Sequence, residues 1–300
     1  RRLPQRGLGG MAMRGRGFEL LLLGLLALLW GSSFALIRVG IETIPPVTII
    51  GLRCCLAALA LGVVVYARGV AIPRDLASWK AFALQAMLAT VTPFVLIAWG
   101  SQEVPSGLAI ILASTSPIFA FFLGFVVGRA ERPSWLKGLG TALGIFGVAL
   151  IAGHQGMQGG SWPHMLALLA SGLLFALSGY TGRAFSKMDP MLPALGAQLS
   201  GLVLLLPAAL LWERPWALQP SQASLIALVV LALFCTALAS VIWFRLLRTL
   251  GVVATTAQAY LRLPLGAGIG VVFLGESFPP VAVGGLVLVM AGVAMMTWRR

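Results

Sequence analysis

Ten long apolar runs, parted by short polar connections, leave this chain little freedom in what it can fold into. They cover roughly 18–39, 46–67, 80–101, 106–127, 135–152, 162–183, 191–212, 223–246, 254–273 and 280–298. Each is about 18 residues or longer, the length of a helix that crosses a bilayer core. Continuous runs of this length exceed a barrel strand and lack its alternation, so helix is the conformation expected. Of the 300 residues 59% are apolar and 10% charged, whereas a water-soluble domain needs roughly 25% charge. The 36 glycines and 17 prolines would break a soluble helical protein, but in a membrane bundle they allow close helix approach and kinks. The sequence therefore predicts an all-α integral membrane protein with ten transmembrane helices, and the lipid bilayer as its main partner.

The formal net charge of +13 would suit a nucleic-acid binder only if it were gathered on one face. It is spread over short connections instead, and no nucleic-acid role is predicted. Lys and Arg fall on alternate sides of the spans: Arg1, Arg2, Arg6, Arg14 and Arg16, then Arg68, Arg74 and Lys80, then Arg129, Arg132 and Lys137. Arg183, Lys187, Arg245, Arg248, Arg299 and Arg300 continue that side, and Arg214 stands alone on the other. The asymmetry predicts a multi-pass protein of the plasma or inner membrane with both termini cytoplasmic. Residues 1–17 read as a disordered basic tail, with no cleavable signal peptide ahead of the first span. Cys54, Cys55 and Cys235 lie in apolar runs without disulfide or metal spacing.

The chain also repeats itself. Pro264 follows Pro117 by 147 residues, as Pro280 follows Pro133 and Gly285 follows Gly138. Five spans per copy is an odd number, so the second copy enters the membrane upside down. The expected architecture is two inverted five-helix repeats, 18–153 and 162–300, joined by an outer loop at 154–161. Inverted repeats are common among secondary transporters, whose site lies near the midplane between the halves.

Trp30–Gly31–Ser32–Ser33–Phe34, Pro45–Pro46 and Leu52–Arg53, followed by Ala109 to Pro117, the turn at Glu131 and a glycine-rich fifth span, resemble an EamA domain. Leu274–Gly275–Glu276 and the last span are similar to the same ending in a second copy. The chain thus resembles the ten-helix EamA transporters of the drug/metabolite transporter superfamily over nearly its whole length. It departs in reading Gly–Arg–Ala–Glu at the first turn, where Gly–Glu is usual, and in carrying Arg262 where an apolar residue is expected. The resemblance implies a carrier or exporter of small metabolites, amino acids among them.

Arg262 is the sharpest candidate, since a charge at mid-membrane costs about 2.5 kcal/mol or more unless it is paired or meets water. It could hold a substrate's anionic group, or could satisfy carbonyls freed by the kink at Pro264. Arg53 reads as a structural residue that snorkels or pairs with Glu42 or Glu103, and Arg38 with Glu42 as an interfacial pair. Tyr260, Gln258, Trp30, Ser33, Thr92, Trp99, Ser114, Thr115, Ser116, Ser178, Tyr180 and Trp243 are the further substrate-binding candidates. A small ligand needs an apolar wall with a few convergent polar groups; against that, Ser and Thr often bond their own backbone and Trp often marks the interface. Pro93, Pro117 and Pro264 are the expected hinges. No carboxylate falls at mid-membrane, which favours downhill transport over a buried proton relay.

No catalytic, cofactor or metal motif is present: His154 and His164 bracket a glycine-rich segment read as a solvated loop. The leading expectation is an exporter of small metabolites, with a phosphorylated-metabolite or nucleotide-sugar carrier as the alternative. A membrane-embedded enzyme of lipid metabolism would need an interfacial His, Asp or Glu cluster that the sequence lacks.

Overall fold

The structure is a computed structural model that describes residues 8–126, 135–157, 161–185, 187–250, 255, 258–277 and 279–297. Every regular element among them is helical. In chain order they are α1 (Leu8–Gly40), α2 (Pro46–Ala67), α3 (Leu76–Gly100), α4 (Ser106–Ala113 continuing as Ser116–Val126) and α5 (Trp135–Met157). The second set is α6 (Trp162–Thr181), α7 (Met191–Glu213), α8 (Gln222–Thr249), α9 (Gln258–Leu274) and α10 (Pro280–Thr297). Seven are long and apolar enough to cross a membrane, and shorter apolar stretches within α5, α9 and α10 complete the ten.

The packing repeats as the sequence does. Two helices lie against their own counterparts, α2 on α7 and α5 on α10, while α4 meets its counterpart α9. The larger of the remaining contacts come in exchanged pairs: α1 on α8 and α9 answers α6 on α3 and α4, and α8 on α2 answers α3 on α7. Counterparts run antiparallel. In α2 and α7, Gly51 packs on Leu205 and Gly201 on Cys54. A Cβ on Gly147 would lie 2.8 Å from the Gly285 carbonyl oxygen, and one on Gly285 would lie 2.9 Å from that of Gly147. Gly292 meets the Gly140 carbonyl seven residues further on, in the opposite sense. Only glycine permits backbones this close, which is how membrane helices gain packing without a hydrophobic drive.

Among the described residues three helices widen into π turns. Met87–Val91 in α3 and Leu233–Leu238 in α8 stand at equivalent positions of the two halves, and Ala209–Glu213 ends α7. In α3 the cause is Pro93, which offers no N–H to the Ala89 carbonyl. In α8 no proline is present, and the Thr236 hydroxyl donates to the Leu231 carbonyl at 2.8 Å. π turns of this kind gather at functional sites.

Several expectations are corrected. Helix α1 begins at Leu8, inside the stretch read as a disordered tail, because Met11, Ala12, Met13 and Arg14 are good helix formers. Helix α5 runs to Met157 and α6 starts at Trp162, so both histidines belong to helices rather than a loop. His164 stacks on Trp99 with ring centroids 4.2 Å apart and shares a 2.6 Å contact with Ser161 Oγ.

Candidate functional site

The central feature is the interruption of α4. Pro117 cannot donate to the Ala113 carbonyl, and the helix stops at Ala113 and restarts at Ser116. Ser114 and Thr115 occupy the break, both buried. The Thr115 hydroxyl donates to the Leu112 carbonyl at 2.9 Å. Gly172 of α6 closes one side, pressed against Thr115 Oγ1, with the Ala113 carbonyl 3.2 Å from where its Cβ would be.

On the other side stands α9. The Arg262 guanidinium donates through Nη2 to Ser114 Oγ at 2.7 Å, bridging the halves at the break. Its Nε is buried and finds no partner among the described residues. Gln258, one turn earlier on the same face, is buried with its Oε1 likewise unpartnered. Gly31 of α1 lets the backbones approach: its Cβ would lie 3.2 Å from the Arg262 carbonyl oxygen. Pro264 sits within α9 without interrupting it.

Trp30 and Trp243 form a tilted ring pair at 5.1 Å between α1 and α8. Ser33 and Ser178 donate to the carbonyls of Trp30 and Phe175 at 2.7 and 2.8 Å, bonding their own helices. Tyr180 donates to the Ala120 carbonyl at 3.0 Å and clips α6 to α4. Ser116 opens the second segment of α4, and Thr92 follows the π turn of α3; both are half-buried. Trp99 lies at the end of α3 against His164, away from the break. The Tyr260 side chain falls outside the described residues.

Arg53 is 3% exposed and pairs with neither Glu42 nor Glu103. Its Nε donates to Thr236 Oγ1 on α8, its guanidinium carbon lies 3.6 Å from the Phe94 ring centroid, and its Nη1 has no partner among the described residues. Burial on both sides of α2, at the level of the two π turns, prevents the snorkelling expected of it. Arg38 likewise does not pair with Glu42; it donates to the carbonyls of Ser101 and Gln102, where α3 ends and acceptors are unsatisfied.

Two carboxylates that the sequence placed merely at span ends have specific partners. Glu276 accepts from the N–H groups of Ser106 and Gly107 at 2.7 and 2.9 Å. Glu213 accepts from those of Val47 and Thr48 at 3.0 and 2.5 Å. Each glutamate of the second half thus caps a helix N-terminus of the first, where free N–H groups and the helix dipole favour an anion. Both caps lie at the Lys/Arg-poor end. The opposite end is joined by the Arg245–Glu19 ion pair at 2.9 Å and by Phe185, whose ring meets those of Phe82 and Phe244.

A helical membrane protein made of two inverted five-helix halves, with a broken helix and buried guanidinium groups at the seam, is of the secondary-transporter class. The EamA-like transporter family matches the chain twice, over residues 17–153 and 162–298, and the chain belongs to that family. It is 32% identical over 280 residues, 90% of each chain, to a probable terminal-alkyne amino-acid exporter of Streptantibioticus cattleyicolor. It is 27% identical over 276 residues, 91% of this chain and 88% of the other, to the uncharacterized inner membrane transporter YedA of Escherichia coli K12. A solved crystal structure of a protein 21% identical superposes with a TM-score of 0.64, covering 91% of this chain and 94% of that one, and shows the same fold. The protein is a multi-pass membrane transporter of small molecules, and the family and relatives bear transporter rather than enzyme names.

Proposed function

We propose that this chain exports small amino-acid-like metabolites bearing a carboxylate, by alternating access between its two halves. The observation that carries the reading is the Arg262–Ser114 bond across the seam, at the break in α4. A guanidinium at this depth needs an anionic or polar partner. A substrate carboxylate would displace the Ser114 hydroxyl and take up the unpartnered Nε, while Gln258 Oε1 could accept from an ammonium group. The amino-acid class and the outward direction are supported by the name of the 32%-identical relative. The Lys/Arg-poor end, with the Glu213 and Glu276 caps, is the outer one on this reading, and both termini are cytoplasmic. Rocking of the halves 18–153 and 162–300 exposes the seam to each side in turn, with Pro93, Pro117 and Pro264 as the hinges that absorb the motion.

The test is flux of labelled amino acids from proteoliposomes. Arg262→Ala is expected to abolish flux while leaving expression and monodispersity intact, and normal flux in that variant would refute the assignment.

A further inference from the structure

Arg53 and Arg262 form a matched pair, of which the proposed function uses one member. Arg53 belongs to the first half and reaches a hydroxyl of the second, Thr236 on α8. Arg262 belongs to the second half and reaches a hydroxyl of the first, Ser114 on α4. Each hydroxyl stands at an irregularity, the π turn of α8 or the break in α4. Each guanidinium keeps one buried nitrogen unpartnered among the described residues, Nη1 of Arg53 and Nε of Arg262. No carboxylate among those residues touches either. The backbone of Arg262 and the π turn that holds the partner of Arg53 border the same stretch of α1: Gly31 packs on the Arg262 carbonyl, and Ser32 Oγ lies 3.7 Å from the Cys235 sulfur, next in sequence to Thr236.

Each buried cation without a counterion is costly in a low-dielectric interior, and a neutral hydroxyl does not offset its charge. A zwitterion with one carboxylate would compensate one of them. A ligand with two anionic groups compensates both and bridges the halves. We propose that the seam is selective for small acidic amino acids or dicarboxylates, one carboxylate meeting Arg262 and the other Arg53. This rests on the transporter reading and narrows its substrate class. The Phe94 ring lies over the planar Arg53 guanidinium, whose Nη1 is unpartnered among the described residues, a geometry suited to a carboxylate.

The experiment compares L-glutamate with L-glutamine, which has the same shape and one charge fewer, by thermal shift and calorimetric titration of the purified full chain in lipid nanodiscs. The wild type is expected to bind glutamate at least tenfold more tightly than glutamine. In Arg53→Gln the ratio should collapse to about one, and Arg262→Gln should lose measurable affinity for both. Arg53→Lys, which keeps the charge but not the planar fork, should show a reduced ratio and serves where Arg53→Gln fails to fold. Equal binding of the two by the wild type overturns the proposal, as does a glutamate preference that survives in both Arg53 variants. If the wild type binds glutamine or other neutral amino acids and not glutamate, the proposal falls and the transporter reading stands. If it neither binds nor transports any amino acid tested, both fall.

Discussion

Glu276 ties the start of α4 to the second half, and its removal should loosen that end. Its two oxygens accept from the first N–H groups of α4 at 2.7 and 2.9 Å, and Ser106 is fully buried beneath it. A side-chain N-cap contributes about 0.5–2 kcal/mol, and a negative charge at a partly buried helix N-terminus adds up to about 2 kcal/mol. Glu276→Ala should therefore destabilise closure of this end by up to about 4 kcal/mol, and Glu276→Gln, which keeps one acceptor, by about half that. A shift of 2 kcal/mol changes a two-state population roughly thirtyfold. The assay is the rate at which Ser106→Cys reacts with a membrane-impermeant maleimide, in a background with Cys54, Cys55 and Cys235 replaced. Labelling should accelerate at least tenfold in Glu276→Ala and by a smaller factor in Glu276→Gln. A rate within twofold of the parent in both variants would refute the idea that this carboxylate holds the end shut.

Further outcomes follow from packing and charge. Gly285→Val places carbon against Ile151 and the Gly147 backbone; overpacking of about 1–3 kcal/mol should lower the melting temperature of the purified protein, whereas the same change at Gly284, where a Cβ meets nothing within 4 Å, should not. Thr236→Val removes both the acceptor for Arg53 and the donor to Leu231, and should cost about 1–3 kcal/mol in the same measurement. Asp75 caps α3 by accepting from Ser78 N–H at 2.7 Å and Ser78 Oγ at 3.0 Å, and these bonds hold its carboxyl below the usual range. A depressed pKa gives stability that is present above the ordinary value near 3.9 and lost as pH falls through the lowered one. Asp75→Asn should accordingly flatten the pH dependence of melting below about pH 4 and not above pH 5.

The fold was legible because its causes are local and repeated. Span length, the Lys/Arg alternation and the 147-residue interval from Pro117 to Pro264 specify helices and two copies. Pro117 also marked the break in α4, since a missing N–H is visible in sequence. The π turn of α8 was not legible: it contains no proline, and a threonine bonding five residues back leaves no compositional trace. Arg53 is hard to place from sequence for a related reason. Its distance from the span end suggested snorkelling, but what decides its position is burial between α2, α3 and α8, a tertiary property. The pairing of Glu213 with Thr48 and of Glu276 with Ser106 spans 165 and 170 residues. A Glu after Gly275, opposite a helix that begins after Pro105, was the available signal, and only the contact between halves gives it meaning.

In alternating access, one site at the seam meets each side of the membrane in turn. The most direct measurement is the accessibility of Ser116→Cys, beside the break in α4, to impermeant reagent applied from either face of oriented proteoliposomes. It should be labelled from both faces, and a bismaleimide bridge between Ser106→Cys and Glu276→Cys should abolish labelling from that end while sparing the other. Labelling from only one face under all conditions, or labelling from the bridged end that continues unchanged, would contradict alternating access at this seam.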